Sequence, residues 1–383
     1  MTETGIPEQQ ATSVEEEIVS SLLANFDCQP VLFVGAGISR RFLGAPDWAG
    51  ALQEALSVMG EQAPEFDYFF QKNGGDLIAC GTDISEKIFE WAWEDKSRFD
   101  EIFYKSDEKS IFLKKIIAHN LVSYANFKPS VQTKSEIKAL SKIRPHAIIT
   151  TNYDKLLEEI FIGYEPIVGK GVLKYNLNSY GEIFHIHGLS TDPKSMVLVR
   201  KDYEQWHTES QYFAAKLLTY FVEHPIFIFG YGLGDPNIRT VLSDIGRIVS
   251  DDDGMISNVV QVVWSDKITE SCQSEYAIDE GKSQFRIRVL QVNDLERVFD
   301  LLSARHELKD VNPALVRALA ARVMKLTRRD IPNGEIEIDF STLERLSGDD
   351  SELPKMLGLT IVGDLNKTHP FPLSLAAAII YFA

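Results

Sequence analysis

Pro30-Val31-Leu32-Phe33-Val34-Gly35-Ala36-Gly37-Ile38-Ser39 is a short apolar run that ends in glycines. Continuous apolar runs bounded by turn residues suit a parallel strand buried on both faces. Similar runs recur at His146–Thr151, Ile183–His187, Met196–Val199, Pro225–Gly230, Val259–Trp264 and Ile287–Val292. Between and around them lie helical patterns at Val14–Ala24, Ala49–Met59, Gln211–His224, Ile238–Val249 and Leu295–Ala304. Strands alternating with helices predict an α/β fold, a Rossmann-like, mostly parallel sheet with helices on both faces. The stretch from about 60 to 145 breaks that rhythm: Ser85–Phe99 and Ser110–Tyr124 read as helices and no strand is evident, so it is expected to be an inserted helical subdomain. The expected organisation is therefore a lead-in and helix over 1–29, a nucleotide-binding domain over 30–305, and a helical C-terminal assembly region over 306–383 that includes Asn312–Lys325.

Composition narrows the function classes. The chain has 383 residues, 44% hydrophobic and 25% charged, with 39 Lys and Arg against 56 Asp and Glu for a net charge of −17. That usage is globular, and the excess of acid argues against direct contact with nucleic acid, whose phosphates demand clustered cations. Cys28, Cys80 and Cys272 are too dispersed for a disulfide framework or a Cys-x-x-Cys zinc module. The polar, acidic opening does not resemble a targeting sequence, and no apolar run reaches the roughly 20 residues that cross a bilayer. A soluble, cytoplasmic protein without membrane contact is expected.

Four segments carry candidate chemistry. Gly35-Ala36-Gly37-Ile38-Ser39 follows a strand, where glycines permit a tight turn and a helix start offers N–H donors to a pyrophosphate; a tight turn needs glycine whatever it binds. Thr150-Thr151-Asn152-Tyr153-Asp154 lies at the carboxyl end of a strand, where ligands of open α/β sheets bind; Asn and Asp are also favoured as helix caps. In Phe184-His185-Ile186-His187-Gly188 the two histidines project to one face if the strand continues through both. With no third ligand at suitable spacing, zinc is disfavoured. A histidine with an ordinary pKa of about 6.5 suits a general base, while a hydrogen-bonded core histidine is an equal reading of His185. Gly230-Tyr231-Gly232-Leu233-Gly234-Asp235 follows another strand as a loop able to pass close to a ligand, or as a plain turn.

In order and content these segments resemble the sirtuin family: a glycine-alanine-glycine turn, a threonine-x-asparagine-x-aspartate segment at Thr150–Asp154, the His187-Gly188 pair and a later glycine loop at Gly230–Gly232. Gly44-Ala45-Pro46-Asp47-Trp48 is similar to the family's flap. The resemblance spans roughly residues 30 to 300. This chain lacks the four zinc-binding cysteines of protein-deacylating sirtuins, and Ala49 stands where they carry an arginine. It therefore looks like the zinc-free, prokaryotic sirtuin-like branch of antiphage defence, and is similar within it to the subunits that assemble with a HerA-type ATPase.

The resemblance implies hydrolysis of NAD to nicotinamide and ADP-ribose, with NAD as substrate and no zinc, in a homo-oligomer. It implies Asn152, His187 and Asp154 as catalytic residues, His187 activating a water and Asn152 orienting it beside the nicotinamide ribose. Gly35, Ala36, Gly37, Ser39, Asp47, Trp48, Thr151, Gly230, Tyr231 and Gly232 would bind the dinucleotide, the first group at the pyrophosphate and the last at the adenosine side. A silent NAD or ADP-ribose sensor, and a protein deacylase or ADP-ribosyltransferase, are the alternatives.

Overall fold

The computed structural model describes residues 13–26, 28–124, 129–169, 180–232, 248–280 and 283–304, together with residues 239, 242, 245, 246 and 313. Met1–Leu177 with Gly181–Val311 forms one compact unit and Asn178–Tyr180 with Asn312–Ala383 a second. The account below concerns the first unit, and the expected assembly region over 306–383 lies, but for Pro313, outside the described residues.

Eight strands form one sheet in the order β3-β4-β2-β1-β5-β6-β8-β7. They are β1 (Val31–Val34), β2 (Ala147–Thr150), β3 (Glu165–Val168), β4 (Glu182–His185), β5 (Ile226–Phe229), β6 (Met255–Trp264), β7 (Cys272–Glu280) and β8 (Ser283–Val292). Every pairing is parallel except β7 with β8. The four central strands β1, β2, β4 and β5 are buried at all positions, which is why they appear in the sequence as unbroken apolar runs.

Alternation along these strands divides the core. Leu32, Val34, Ile148, Ile183, Phe227 and Phe229 face a layer built by α1 (Val14–Asn25), α2 (Ala36–Leu43), α8 (Val131–Leu140), α9 (Leu156–Ile160) and α11 (Leu295–Ser303). Val31, Phe33, Ile149, Phe184, Ile226 and Ile228 face the other layer, which includes Tyr220 and Phe221 of α10 (Arg200–Glu223) and the buried Leu242 and Ile245. Of the helix expected over Ile238–Val249, the described residues 239, 242, 245, 246, 248 and 249 are helical and the others lie outside the described residues.

Between α2 and β2 the described residues are helical, with α3 (Trp48–Ser57), α4 (Phe66–Lys72), α5 (Leu77–Glu94), α6 (Glu101–Tyr104), α7 (Ile111–Tyr124) and α8 in succession. The helices α3, α4, α5 and α7 share a third apolar core, centred on Leu52, Ile84, Ile88, Phe112 and Leu113. Asp47, Asp76 and Ser130 cap α3, α5 and α8 with side-chain acceptors, as N-cap positions favour. The helix expected over Ser85–Phe99 begins earlier, at Leu77, because Asp76 caps it there.

Met196–Val199 corrects the sequence reading. It is buried but forms no strand; Met196, Leu198 and Val199 plug the helical core, and the segment leads into α10. An apolar run of four records burial and leaves its partner open.

Candidate active site

Parallel pairing of β1, β2, β4 and β5 brings their carboxyl ends to one edge of the sheet, so the segments at Gly35–Ser39, Thr151–Asp154, Ile186–Gly188 and Gly230–Gly232 meet there. The chain leaves β1 toward β2 on one side while β5 flanks it on the other, the topological switch where open α/β sheets bind ligands.

The two glycine loops pack on each other. Gly35 N–H donates to Phe229 O and Gly37 N–H to Gly230 O, both at 2.8 Å. A Cβ at Gly35 would lie 2.6 Å from the Tyr231 ring, and one at Gly37 2.8 Å from Gly230 O. Gly230 itself has φ +74°, a left-handed conformation that glycine adopts without strain. Gly35 is buried while Ala36 and Gly37 reach the surface. The Gly37 donor, expected to be open to a phosphate, is therefore engaged within the protein. Tyr231 points inward: its ring meets Phe33 edge-on at 5.6 Å, and its hydroxyl shares a 2.8 Å hydrogen bond with Thr151 Oγ1. Gly232 is exposed, and the rest of that loop, 233–238, lies outside the described residues.

Asn152 is fixed from several sides. Its Nδ2 donates to Ser39 Oγ at 2.8 Å and to Gly35 O at 3.1 Å. Its backbone N–H donates to Thr150 Oγ1 at 3.0 Å, and that hydroxyl donates to Val34 O at 2.8 Å. The Ser39 hydroxyl donates a hydrogen bond to Asp154 Oδ2 at 2.7 Å, and Asp154 Oδ1 accepts from Leu156 N–H at 3.0 Å. Burial pushes the Asp154 carboxyl above the usual carboxylate range, against the lowering effect of the Ser39 hydroxyl. Asn152 Oδ1 is buried and has no hydrogen-bond partner among the described residues. Buried acceptors are nearly always paired, so this oxygen is the site's vacant polar contact.

His187 is held differently. Strand β4 ends at His185 and the chain turns at 186–187, so the two histidines do not share surroundings as a continuous strand predicts. His185 is fully buried, with Nδ1 3.0 Å from Asn152 O. The His187 ring instead meets Tyr203 and Trp206 of α10 nearly edge-on, at 5.6 and 5.2 Å. Gly188 permits the turn with φ +92°, where a Cβ would fall 2.2 Å from Ser195 O. Val197 N–H donates to His187 O at 2.9 Å, Tyr153 Oη to Val197 O at 2.6 Å and Ser190 N–H to Tyr153 O at 2.8 Å. These bonds tie the histidine turn to the Asn152 loop.

Asp47 and Trp48 lie at the start of α3. Asp47 is exposed, accepts from Gly50 N–H at 2.9 Å and stands 3.6 Å from Arg40. The half-buried Trp48 ring lies 6.3 Å from Tyr153. Tyr203, Trp206 and Glu158 are the residues of this region that sequence reading missed; the aromatic pair at three-residue spacing on one helix was the available signal. Among the described residues no group of three His, Cys, Asp or Glu could hold a metal ion, and no helix is long and apolar enough to cross a membrane.

At this switch point, with its asparagine and histidine turns, residues 146–279 of the α/β chain match the family model described as a SIR2-like domain. Beyond this, the chain is similar in part to proteins named NAD(+) hydrolase ThsA. The one from Cytobacillus dafuensis is 24% identical over 305 residues, covering 75% of this chain and 52% of the relative. That from Enterococcus faecium is 26% identical over 186 residues, 46% of this chain and 38% of the relative. A third, from Bacillus cereus, is 24% identical over 134 residues, 33% of this chain and 28% of the relative. The chain thus spans about half the length, or less, of the curated relatives it matches.

Proposed function

We propose that this chain cleaves the nicotinamide–ribose bond of NAD with water, releasing nicotinamide and ADP-ribose, and that depletion of NAD serves antiphage defence. The observation that carries the reading is the vacant, buried Asn152 Oδ1, in a loop tied to the turn that bears His187. The NAD hydrolase names of the relatives support it.

Departure of nicotinamide develops positive charge at the ribose, so positioning and electrostatics carry the barrier. Asn152 Oδ1 accepts from the attacking water or a ribose hydroxyl, and its amide is anchored to Ser39 and Gly35 O so that this oxygen cannot turn away. His187 takes the proton from the water, directly or through a ribose hydroxyl. Asp154, with both oxygens engaged by Ser39 and Leu156, holds Ser39 rather than the substrate. Gly35–Gly37, Ser39, Asp47, Trp48, Thr151 and Gly230–Gly232 form the dinucleotide-binding surround. Residues 30–305 are the domain that does this, and assembly into a homo-oligomer with a HerA-type ATPase subunit belongs to the same proposal.

Incubating the purified chain with NAD in H2(18)O, with and without any HerA-type ATPase encoded next to it, tests the reaction. Nicotinamide release with one 18O in the ADP-ribose is expected. Tight NAD binding without release in either condition identifies a sensor, and release with ADP-ribose on protein identifies a transferase; both overturn the proposal.

A further inference from the structure

We propose that His185 and Glu158 form a positioning pair that fixes the Asn152 loop through its backbone carbonyl, an inference that rests on the NAD-cleavage reading. Asn152 O can only accept, so His185 Nδ1, at 3.0 Å, carries a proton and donates it there. The other ring nitrogen then faces Glu158 Oε1 at 3.2 Å. A carboxylate oxygen accepts and a ring N–H donates, so at this distance the two side chains are complementary. His185 is fully buried, Glu158 has 16% of its side chain exposed, and neither the two carboxyl oxygens nor His185 Nε2 has a hydrogen-bond partner among the described residues, which leaves the 3.2 Å approach as their shared polar contact. Among the described residues, that imidazole is the charged or chargeable group the carboxyl approaches.

The consequence falls on Asn152. Ser39 and Gly35 O grip its amide from the β1 side, and His185 grips its carbonyl from the β4 side. The vacant Oδ1 is aimed by both grips. Among the described residues, Glu158 on α9 approaches His185 and Asp154 in the preceding loop interacts with it electrostatically, and Asp154 is already committed to Ser39 and Leu156. Glu158 is thus the carboxylate left to hold the ring.

His185→Phe and Glu158→Leu remove the pair from either end, whereas Glu158→Gln keeps it, because an amide N–H donates to the Nε2 of a neutral imidazole. With NAD as substrate, the two disruptive variants are expected to lose about tenfold or more in kcat, as misplaced reacting groups do. KM should stay within about threefold, and Glu158→Gln should retain kcat within about threefold. A general loss of folding would lower all three alike, so rescue by Gln distinguishes positioning from stability. The pair is overturned if the disruptive variants keep kcat, or if Gln falls as far as Leu.

A second arm needs no turnover. The side-chain amide of Asn152 is followed by NMR in asparagine-(15)N-labelled protein and assigned by its loss in Asn152→Ser. It should keep its position in Glu158→Gln and shift in Glu158→Leu and His185→Phe. If the wild-type chain cleaves no NAD, the reaction is wrong and this arm alone decides the pair; an amide that moves in neither disruptive variant overturns it.

Discussion

The Asn152 and His187 halves of the site are built on opposite plans. Asn152 sits in a lattice of short polar contacts, to Ser39, Gly35 O, Thr150 and His185, each fixed in direction. His187 has its ring between two aromatic side chains and its backbone tied by Val197. Hydrogen bonds lock an orientation and fail abruptly when one partner leaves a buried group unpaired. Aromatic packing is broader and tolerates small displacement. The difference suits the proposed tasks: an asparagine must present one face of an amide, while a base that takes up a proton is steadied by aromatic packing and by its backbone.

Four experiments break or sharpen this contrast. The largest effect belongs to the two chemical groups themselves: Asn152→Ala and His187→Ala are each expected to lower nicotinamide release by about 100-fold or more, typical of a lost acid–base group, with circular dichroism unchanged. Ser39→Ala comes next. It strips Asp154 of its hydroxyl donor and Asn152 of an acceptor, so stability in urea should fall by about 2 kcal/mol, and kcat with it. Trp206→Leu tests the softer half. Losing one ring from the pair costs about 1 kcal/mol of stability in urea, with kcat lowered no more than about fivefold; an effect as large as that of Ser39→Ala would erase the contrast. The smallest effect is a pH dependence. Burial raises the Asp154 carboxyl above its ordinary value, so in the window between the two values the folded chain binds more protons than the unfolded one. This group's stabilising contribution is therefore full below about pH 4 and lost as pH rises through the folded value. Asp154→Asn should flatten the fall of the urea midpoint as pH rises above about 4.

How legible the molecule was in its sequence follows the same division. The central strands were plain because parallel strands buried on both faces leave unbroken apolar runs, as Leu32, Ile148 and Ile228 illustrate. The edge strands were not: Glu165-Pro166-Ile167-Val168 and Cys272–Glu280 alternate or expose polar residues, and partnering on one side leaves little pattern to read. Asn152, Asp154, His187 and the glycine turns could be named because turn chemistry and strand ends are local. What joins them is not local. Ser39 and Asp154 are 115 positions apart, and nothing in either neighbourhood announces the bond. The packing of Tyr231 onto Gly35, and of Tyr203 and Trp206 onto His187, likewise arises from topology. Met196–Val199 misled because burial against helices and burial in a sheet leave the same apolar trace.

The claim that the two halves serve one reaction is tested most directly by a double-mutant comparison of nicotinamide release. Asn152→Ala, His187→Ala and the combined variant are measured beside the wild type under the same conditions. Groups that act as a unit are strongly non-additive, so the double variant should be no slower than the slower single one within about threefold. Losses that multiply, or full release by either single variant, would contradict the account.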